Sequence, residues 1–313
     1  MSTQPGTARR WIVAARLFAL PASTMPVIFG TVAAVTTGGA VFHSGLFLAA
    51  LLAMVLLHTG ANMLSDVTDF NAGLDREATP VSGAIVRGYL TDRQVRRAAI
   101  LLLIIGSLIG LWLVRQVGLP LLWIGLAGVL IGVSYTLGPA LKYHALGDLA
   151  VFLDFGILGA VGAWTVQTGH PSFLPALWAV PMSLLVVGIL HANNWRDIAT
   201  DRERAGITTV AALLGDRGSL VYYGVLIFAP FILVTLLVGA GRCAAWGLPW
   251  PTLLVWLAFP MALGRWRKAR RRASPAQPMD FITLDGATAQ LNLAFGLLCT
   301  AGFVIYRIIG RGL

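Results

Sequence analysis

Apolar segments of membrane-crossing length recur along the whole 313-residue chain, and they constrain its fold more than any other feature. A helix needs about 20 mostly apolar residues to cross a bilayer core, and nine segments approach or exceed that length: 11–34, 45–64, 95–117, 119–137, 146–168, 173–195, 220–241, 246–263 and 287–309. Inside lipid every backbone polar group must be satisfied within the protein, which makes such segments helices. The expectation is therefore an all-α polytopic membrane protein with about nine transmembrane helices and the lipid bilayer as its solvent. With 57% hydrophobic residues, 12% charged ones and a mean hydropathy of +0.79, the chain has no stretch left for a separate soluble domain. The segment after Arg9 and Arg10 outruns a signal-peptide core and reads as a retained helix. Cys243 and Cys299 have no metal-type spacing and read as packing residues.

Charge sorts strongly between the two faces. With the N-terminus cytoplasmic, all of the 23 Lys and Arg residues except Arg115, Arg242, Arg307 and Arg311 fall on the cytoplasmic side. That bias sets the orientation by the positive-inside rule and places the protein in the cell inner membrane. The basic run at 265–272 can also meet anionic headgroups. The 13 Asp and Glu residues follow the same face, although the rule does not require it of them. Gathered carboxylates of this kind call for a local cation. A net charge of +10 spread over short loops between spans is no basis for binding nucleic acid.

Two acidic clusters carry the chemistry. In NMLSDVTDFNAGLD, Asn62, Asp66 and Asp69 follow one another at helical spacings of four and three, with Asp75 beyond them. Side chains so spaced share one helix face. Hard oxygen ligands suit Mg²⁺, which takes one or two carboxylates together with phosphate oxygens. A solvated loop with polar caps is the plain alternative for one such cluster. The second cluster, NNWRDIATDRERAG, repeats the pattern with Asn193, Asp197 and Asp201 at steps of four. Four spans separate the two, so both emerge on one face in one orientation, as in a parallel internal repeat with halves near 11–137 and 146–263 plus a last helix. Facing each other, the clusters can hold two Mg²⁺ ions around one diphosphate. Arg76, Arg87, Arg196, Arg202 and Arg204 interleave with them. Lys142 stands in YTLGPALKYHALGD beside Tyr135, Tyr143 and Asp148. Cations there stabilise the charge that grows on a departing diphosphate.

The spacing of Asn62, Asp66, Asp69, Gly73 and Asp75, the string NN-x-RD-x-x-x-D from Asn193 to Asp201, and YT-x-GP-x-LKY between them resemble the UbiA superfamily of intramembrane prenyltransferases. The stretch AARLFALPASTMPVIFG, with Arg16, Pro21, Ser23, Pro26 and Gly30, is similar to its branch that prenylates 1,4-dihydroxy-2-naphthoate in menaquinone synthesis. The resemblance covers nearly the whole chain. It implies helices around a central cavity capped on the cytoplasmic side. It also implies a lateral opening for a lipid chain, and Mg²⁺ and diphosphate held by Asn62, Asp66, Asp69, Asn193, Asp197 and Asp201. Where that family often has Lys before the Thr of the second motif, this chain has Ile207, so either Arg204 or Lys142 supplies the cation or the substrate is held differently.

The reaction implied is ionisation of a polyprenyl diphosphate and attack by an electron-rich aromatic acceptor, with loss of carbon dioxide if that acceptor is dihydroxynaphthoate. An apolar cavity shields the cation from water, and Trp164, Trp195, Tyr135 and Tyr143 are aromatic candidates to face it. Arg16, inside the first helix, either snorkels or binds an acceptor carboxylate. His58 and His191 read as packed, hydrogen-bonded residues. Asp154, at membrane depth, is a functional candidate as partner to a cavity Arg. Asp280 and Asp285 belong either to the cap or to a solvated loop. Within the superfamily the alternatives are another acceptor, a phosphorylated sugar among them, or cyclisation of the prenyl chain. Outside it stands a transporter, which would place its binding groups at the midplane rather than at one interface.

Overall fold

The computed structural model describes residues 5–73, 83–198, 207–241, 243–272 and 279–310, and within these the protein is all-α. In chain order the helices are α1 (Thr7–Ala15), α2 (Pro21–Thr36), α3 (Ser44–Asn71), α4 (Asp92–Val117), α5 (Leu119–Thr136), α6 (Gly147–Val151), α7 (Gly159–Thr168), α8 (Phe173–Arg196), α9 (Val210–Ala240), α10 (Phe259–Ala269), α11 (Met279–Ile282) and α12 (Leu284–Gly310). Seven continuous stretches are long and apolar enough to cross a membrane, with α6 and α7 counted as one, and an eighth if Thr7–Ala19 and Pro21–Thr36 form one bent span. The chain is a multi-pass membrane protein.

Local chemistry explains where these helices begin. Thr91 caps α4 with a reciprocal box: its hydroxyl accepts from the Gln94 amide at 3.2 Å, and its own amide donates to the Gln94 side chain at 2.9 Å. Thr209 caps α9 by accepting from the Ala212 amide at 3.1 Å.

Three predicted spans are less regular than their hydropathy suggests. The first bends by 54° between Ala19 and Pro21. Arg16 adopts a left-handed conformation (φ 48°, ψ 47°), and Pro21 has no amide to continue the ladder. The stretch expected at 246–263 forms a 3₁₀ helix, Trp250–Ala258, before α10, because Pro249, Pro251 and Pro260 interrupt the α pattern. Between α6 and α7 the chain makes a π-helical segment, Phe152–Leu158. Segments of that kind often mark functional positions.

The helices divide into a dense body and a thinner wall. The main core joins α2, α7, α8, α9, the 3₁₀ segment and α12, with Phe231, Phe295 and Phe303 fully enclosed. There α2 lies tight on α7, since a Cβ on Gly30 would come within 2.2 Å of the Ala160 carbonyl oxygen. Opposite, α3 and α4 pair closely at Gly60, whose Cβ would lie 2.8 Å from Leu103. Small residues bring backbones together where lipid gives no hydrophobic drive to associate. Helix α5 completes the wall: much of it lines the internal space, while Trp123 and Leu130 are exposed on its outer side. A large internal space remains between wall and body.

Candidate active site

That space is a cavity of about 1600 Å³ whose lining runs along α3, α4, α5 and the α6–α7 stretch. Its deeper walls are apolar, while its mouth gathers Asn62, Asp69, Lys142, Asn193, Asp197 and Asp285. Residues more than 120 positions apart in the chain thus meet at one opening.

The first motif rides on the last turns of α3. Asn62, Ser65 and Asp69 line the cavity. Lys142, from the loop after α5, donates to Ser65 Oγ at 2.8 Å and to the two Asp69 oxygens at 2.8 and 3.0 Å. The Tyr143 hydroxyl also donates to Asp69. Asp66 does not line the cavity: it is buried, and its Oδ1 pairs with Arg16 Nη2 at 3.0 Å. The convergence expected of Asn62, Asp66 and Asp69 is therefore only partial. Arg16 neither snorkels nor stands alone, because the left-handed turn aims it at the motif.

The second motif ends α8. Arg196 grips the Asp197 carboxylate with Nε and Nη2, each at 3.0 Å, and reaches Asp285 at 2.9 Å and Asn193 Oδ1 at 2.6 Å. This fork-shaped grip fixes the carboxylate's plane. Behind it, Arg272 donates to the Trp195 carbonyl at 2.8 Å, pairs with Asp216, and lies over the Phe281 ring at 4.7 Å. Burial lowers the Arg272 pKa and Asp216 raises it, but the guanidinium stays charged at any physiological pH.

The Lys142 loop is tied to the chain leaving the second motif. The Thr208 amide donates to the Tyr143 carbonyl at 2.8 Å, and the Ala145 amide to the Thr208 carbonyl at 2.6 Å. Among the described residues, the non-glycine residues with positive φ are Arg16, Ala140 and Ala145. One aims its side chain at the first motif and two bracket the Lys142 loop, so the strained positions cluster at the mouth.

Asp75, Arg76, Asp201, Arg202 and Arg204 fall outside the described residues. Tyr135 and Tyr143 line the cavity and Trp164 and Trp195 do not. Trp164 packs on Trp178 with ring centroids 6.3 Å apart, and Trp195 on Phe281 at 4.9 Å, so both belong to the core. Asp154 is on the cavity wall, but no Arg pairs with it among the described residues. Cys299 is buried as expected and Cys243 is exposed. Two contributors escaped the spacing argument. Ser65 is the serine within the first motif, and Asp285 begins α12, almost 90 residues beyond its Arg partner. Asp285 was named only as a cap or loop residue, since no sequence spacing ties it to Arg196.

No three His, Cys, Asp or Glu side chains among the described residues form a ready metal cluster. The donors at the mouth are nevertheless amide and carboxylate oxygens with no sulfur or imidazole among them. Such a set fits magnesium completed by phosphate oxygens rather than a closed protein cage.

Comparison with known proteins agrees with this arrangement. The model of the UbiA prenyltransferase family matches residues 23–284. The Mus musculus protein called UbiA prenyltransferase domain-containing protein 1 is 33% identical over 298 residues, covering 94% of this chain and 84% of its own. Its Drosophila melanogaster homolog is 30% identical over 297 residues, covering 93% and 78%. These relatives do not bear the name of the dihydroxynaphthoate branch that the motifs resemble. The fold is shared with a UbiA homolog from Aeropyrum pernix K1 (TM-score 0.62, 20% identity, 93% and 98% covered). It is shared too with one from Archaeoglobus fulgidus bound to GPP and Mg²⁺ (TM-score 0.58, 14% identity, 93% and 99% covered). With the family model matching most of the chain and two acidic motifs meeting over an apolar cavity, this protein belongs to the UbiA prenyltransferase family and is a membrane-embedded prenyltransferase.

Proposed function

We propose that the protein transfers a prenyl group from an allylic polyprenyl diphosphate to an electron-rich aromatic acceptor, with magnesium as cofactor. The observation that carries this reading is the meeting of Asp69, Lys142, Arg196 and Asp197 at the polar mouth of one long apolar cavity. The Archaeoglobus fulgidus homolog, bound to GPP and Mg²⁺, supports it. Asn62, Asp69, Asn193 and Asp197 would hold magnesium, which supplies charge neutralisation to the diphosphate. Asp75 and Asp201 complete the set by the motif pattern, while Asp66, off the cavity lining, holds Arg16 at the mouth.

Lys142 and Arg196 bind the diphosphate oxygens and stabilise the charge that grows on them as the carbon–oxygen bond breaks. Arg76 and Arg204 have the same role by their places in the motifs. The apolar walls below keep water from the allylic cation, and Tyr135 and Tyr143 present aromatic faces to it. Arg16 and its partner Asp66 orient the mouth towards the acceptor. The relatives carry another name than the naphthoate branch, so the acceptor class is an electron-rich aromatic and 1,4-dihydroxy-2-naphthoate is one compound to try.

The test uses purified protein in detergent with prenyl diphosphates of several lengths and a panel of aromatic acceptors. Mass spectrometry is expected to find a prenylated aromatic, and EDTA to bring it to background with recovery on added Mg²⁺. Neither product nor diphosphate release under any combination overturns the reading.

The positive-inside bias carries a second proposal, that the mouth opens to the cytoplasm. Cys243 is exposed on the opposite side of the span map. In intact cells a membrane-impermeant maleimide is expected to label Cys243 from outside, and labelling only after lysis reverses the orientation.

A further inference from the structure

His58 is one turn of α3 deeper than Asn62, and it is on the cavity wall. With Asn62, Ser65 and Asp69 it forms one stripe at spacings of four, three and four, all facing the cavity. At 1.5 Å per residue the stripe covers about 16 Å of rise, with His58 about 6 Å below Asn62. The upper end faces the anion-binding mouth and the lower end the apolar part, so the reacting carbon of a prenyl diphosphate would fall between.

The hydrogen bonds around His58 orient its ring. Its Nδ1 is 2.7 Å from Ser23 Oγ, and the Ser23 hydroxyl itself donates to the Leu20 carbonyl at 3.1 Å. A hydroxyl has one proton: with that proton on Leu20, Ser23 accepts from His58 and Nδ1 carries the hydrogen, which is the tautomer a base at Nε2 requires. Nε2 then holds a lone pair, and no group among the described residues bonds to it. The Phe155 ring, 4.6 Å away, holds the imidazole in place. Arg16, Tyr135 and Asp154 are among the titratable and charged groups that line the same cavity.

We propose that His58 is a catalytic residue whose Nε2 takes the hydroxyl proton of the aromatic acceptor as its ring attacks the prenyl carbon; this rests on the function proposed above. The acceptor O–H bond breaks and its proton passes to Nε2, giving an imidazolium. The ring carbon bonds to the allylic carbon while diphosphate leaves with the electron pair of the broken carbon–oxygen bond. The ring then loses the proton of the attacked carbon to water, or its carboxylate as carbon dioxide with the electron pair staying in the ring, and the imidazolium returns its proton to the phenolate oxygen so formed.

The experiment compares wild type with His58→Asn, which keeps a donor for Ser23 and removes the Nε2 base. Each is assayed with the acceptor the wild type prenylates and with its ring-fluorinated analogue, whose hydroxyl is more acidic. Transfer to the ordinary acceptor is expected to fall at least about 100-fold, the scale of general-base catalysis, and to recover most of the loss with the fluorinated one. Binding of a non-hydrolysable prenyl diphosphate analogue should not change. An equal loss for both acceptors, or a loss under fivefold, overturns the role. If His58→Asn does not fold, Ser23→Ala serves: freeing the tautomer should lower transfer several-fold, more for the less acidic acceptor, and an unchanged rate overturns the proposal. Absence of product from the wild type with every acceptor overturns the proposed function, not the His58 assignment alone.

Discussion

Prenyl transfer by the Asp197→Asn protein is expected to fall about a thousandfold, with the protein still folded in the membrane. Asp197 lines the mouth and is gripped by both faces of the Arg196 fork at 3.0 Å. Asparagine keeps the shape but removes the charge that a magnesium–diphosphate pair would use. Losing one anionic ligand removes several kcal/mol of transition-state stabilisation, and about 4 kcal/mol corresponds to a thousandfold in rate. The fold should hold because Arg196 keeps Asp285 at 2.9 Å and Asn193 at 2.6 Å. The checks are kcat/KM for diphosphate release and the thermal midpoint in detergent. Activity within tenfold of wild type, at an unchanged midpoint, removes Asp197 from the site.

Lys142→Met should be the next most damaging change, costing about 100-fold to 1,000-fold in kcat, as for loss of one preorganised donor to a developing oxyanion. Lys142 is the group that joins the first motif to the loop after α5, with Nζ within 3.0 Å of Ser65 and both Asp69 oxygens. Because leaving-group charge is greatest in the transition state, the loss should appear in kcat more than in KM for the prenyl diphosphate. Lys142→Arg should restore only part of it, since a planar fork cannot replace a compact ammonium among three oxygens. An unchanged kcat in Lys142→Met, with KM raised alone, would show that Lys142 only helps the substrate to bind.

These predictions involve both parts of the chain that were readable in advance and parts that were not. The Asn and Asp residues of the two motifs were legible because helical spacing puts side chains three and four apart on one face, and the hydropathy that marks α3 and α8 also locates their ends. Lys142 was legible from its aromatic company, and the structure places it on Asp69. The Arg16–Asp66 pair was not legible, since it depends on a left-handed residue inside an unbroken apolar stretch. His58 read as a packed, hydrogen-bonded residue, which its burial and its bond to Ser23 agree with, while its place on the cavity wall was not legible. The π-helical segment that carries Asp154 along the cavity wall left no trace in periodicity.

Hydropathy and residue spacing alone determined that the chain crosses the membrane many times as helices and that it carries two acidic motifs on one face, because both follow from rules acting within a turn or two of backbone. Only the tertiary structure decided which carboxylates look into the cavity, which are held by Arg16 or Arg196, and which ring nitrogen of His58 lies against Ser23. Those outcomes depend on distances between helices far apart in the chain, and the packing of α2 against α3 on one side and α8 on the other sets them, not any local preference.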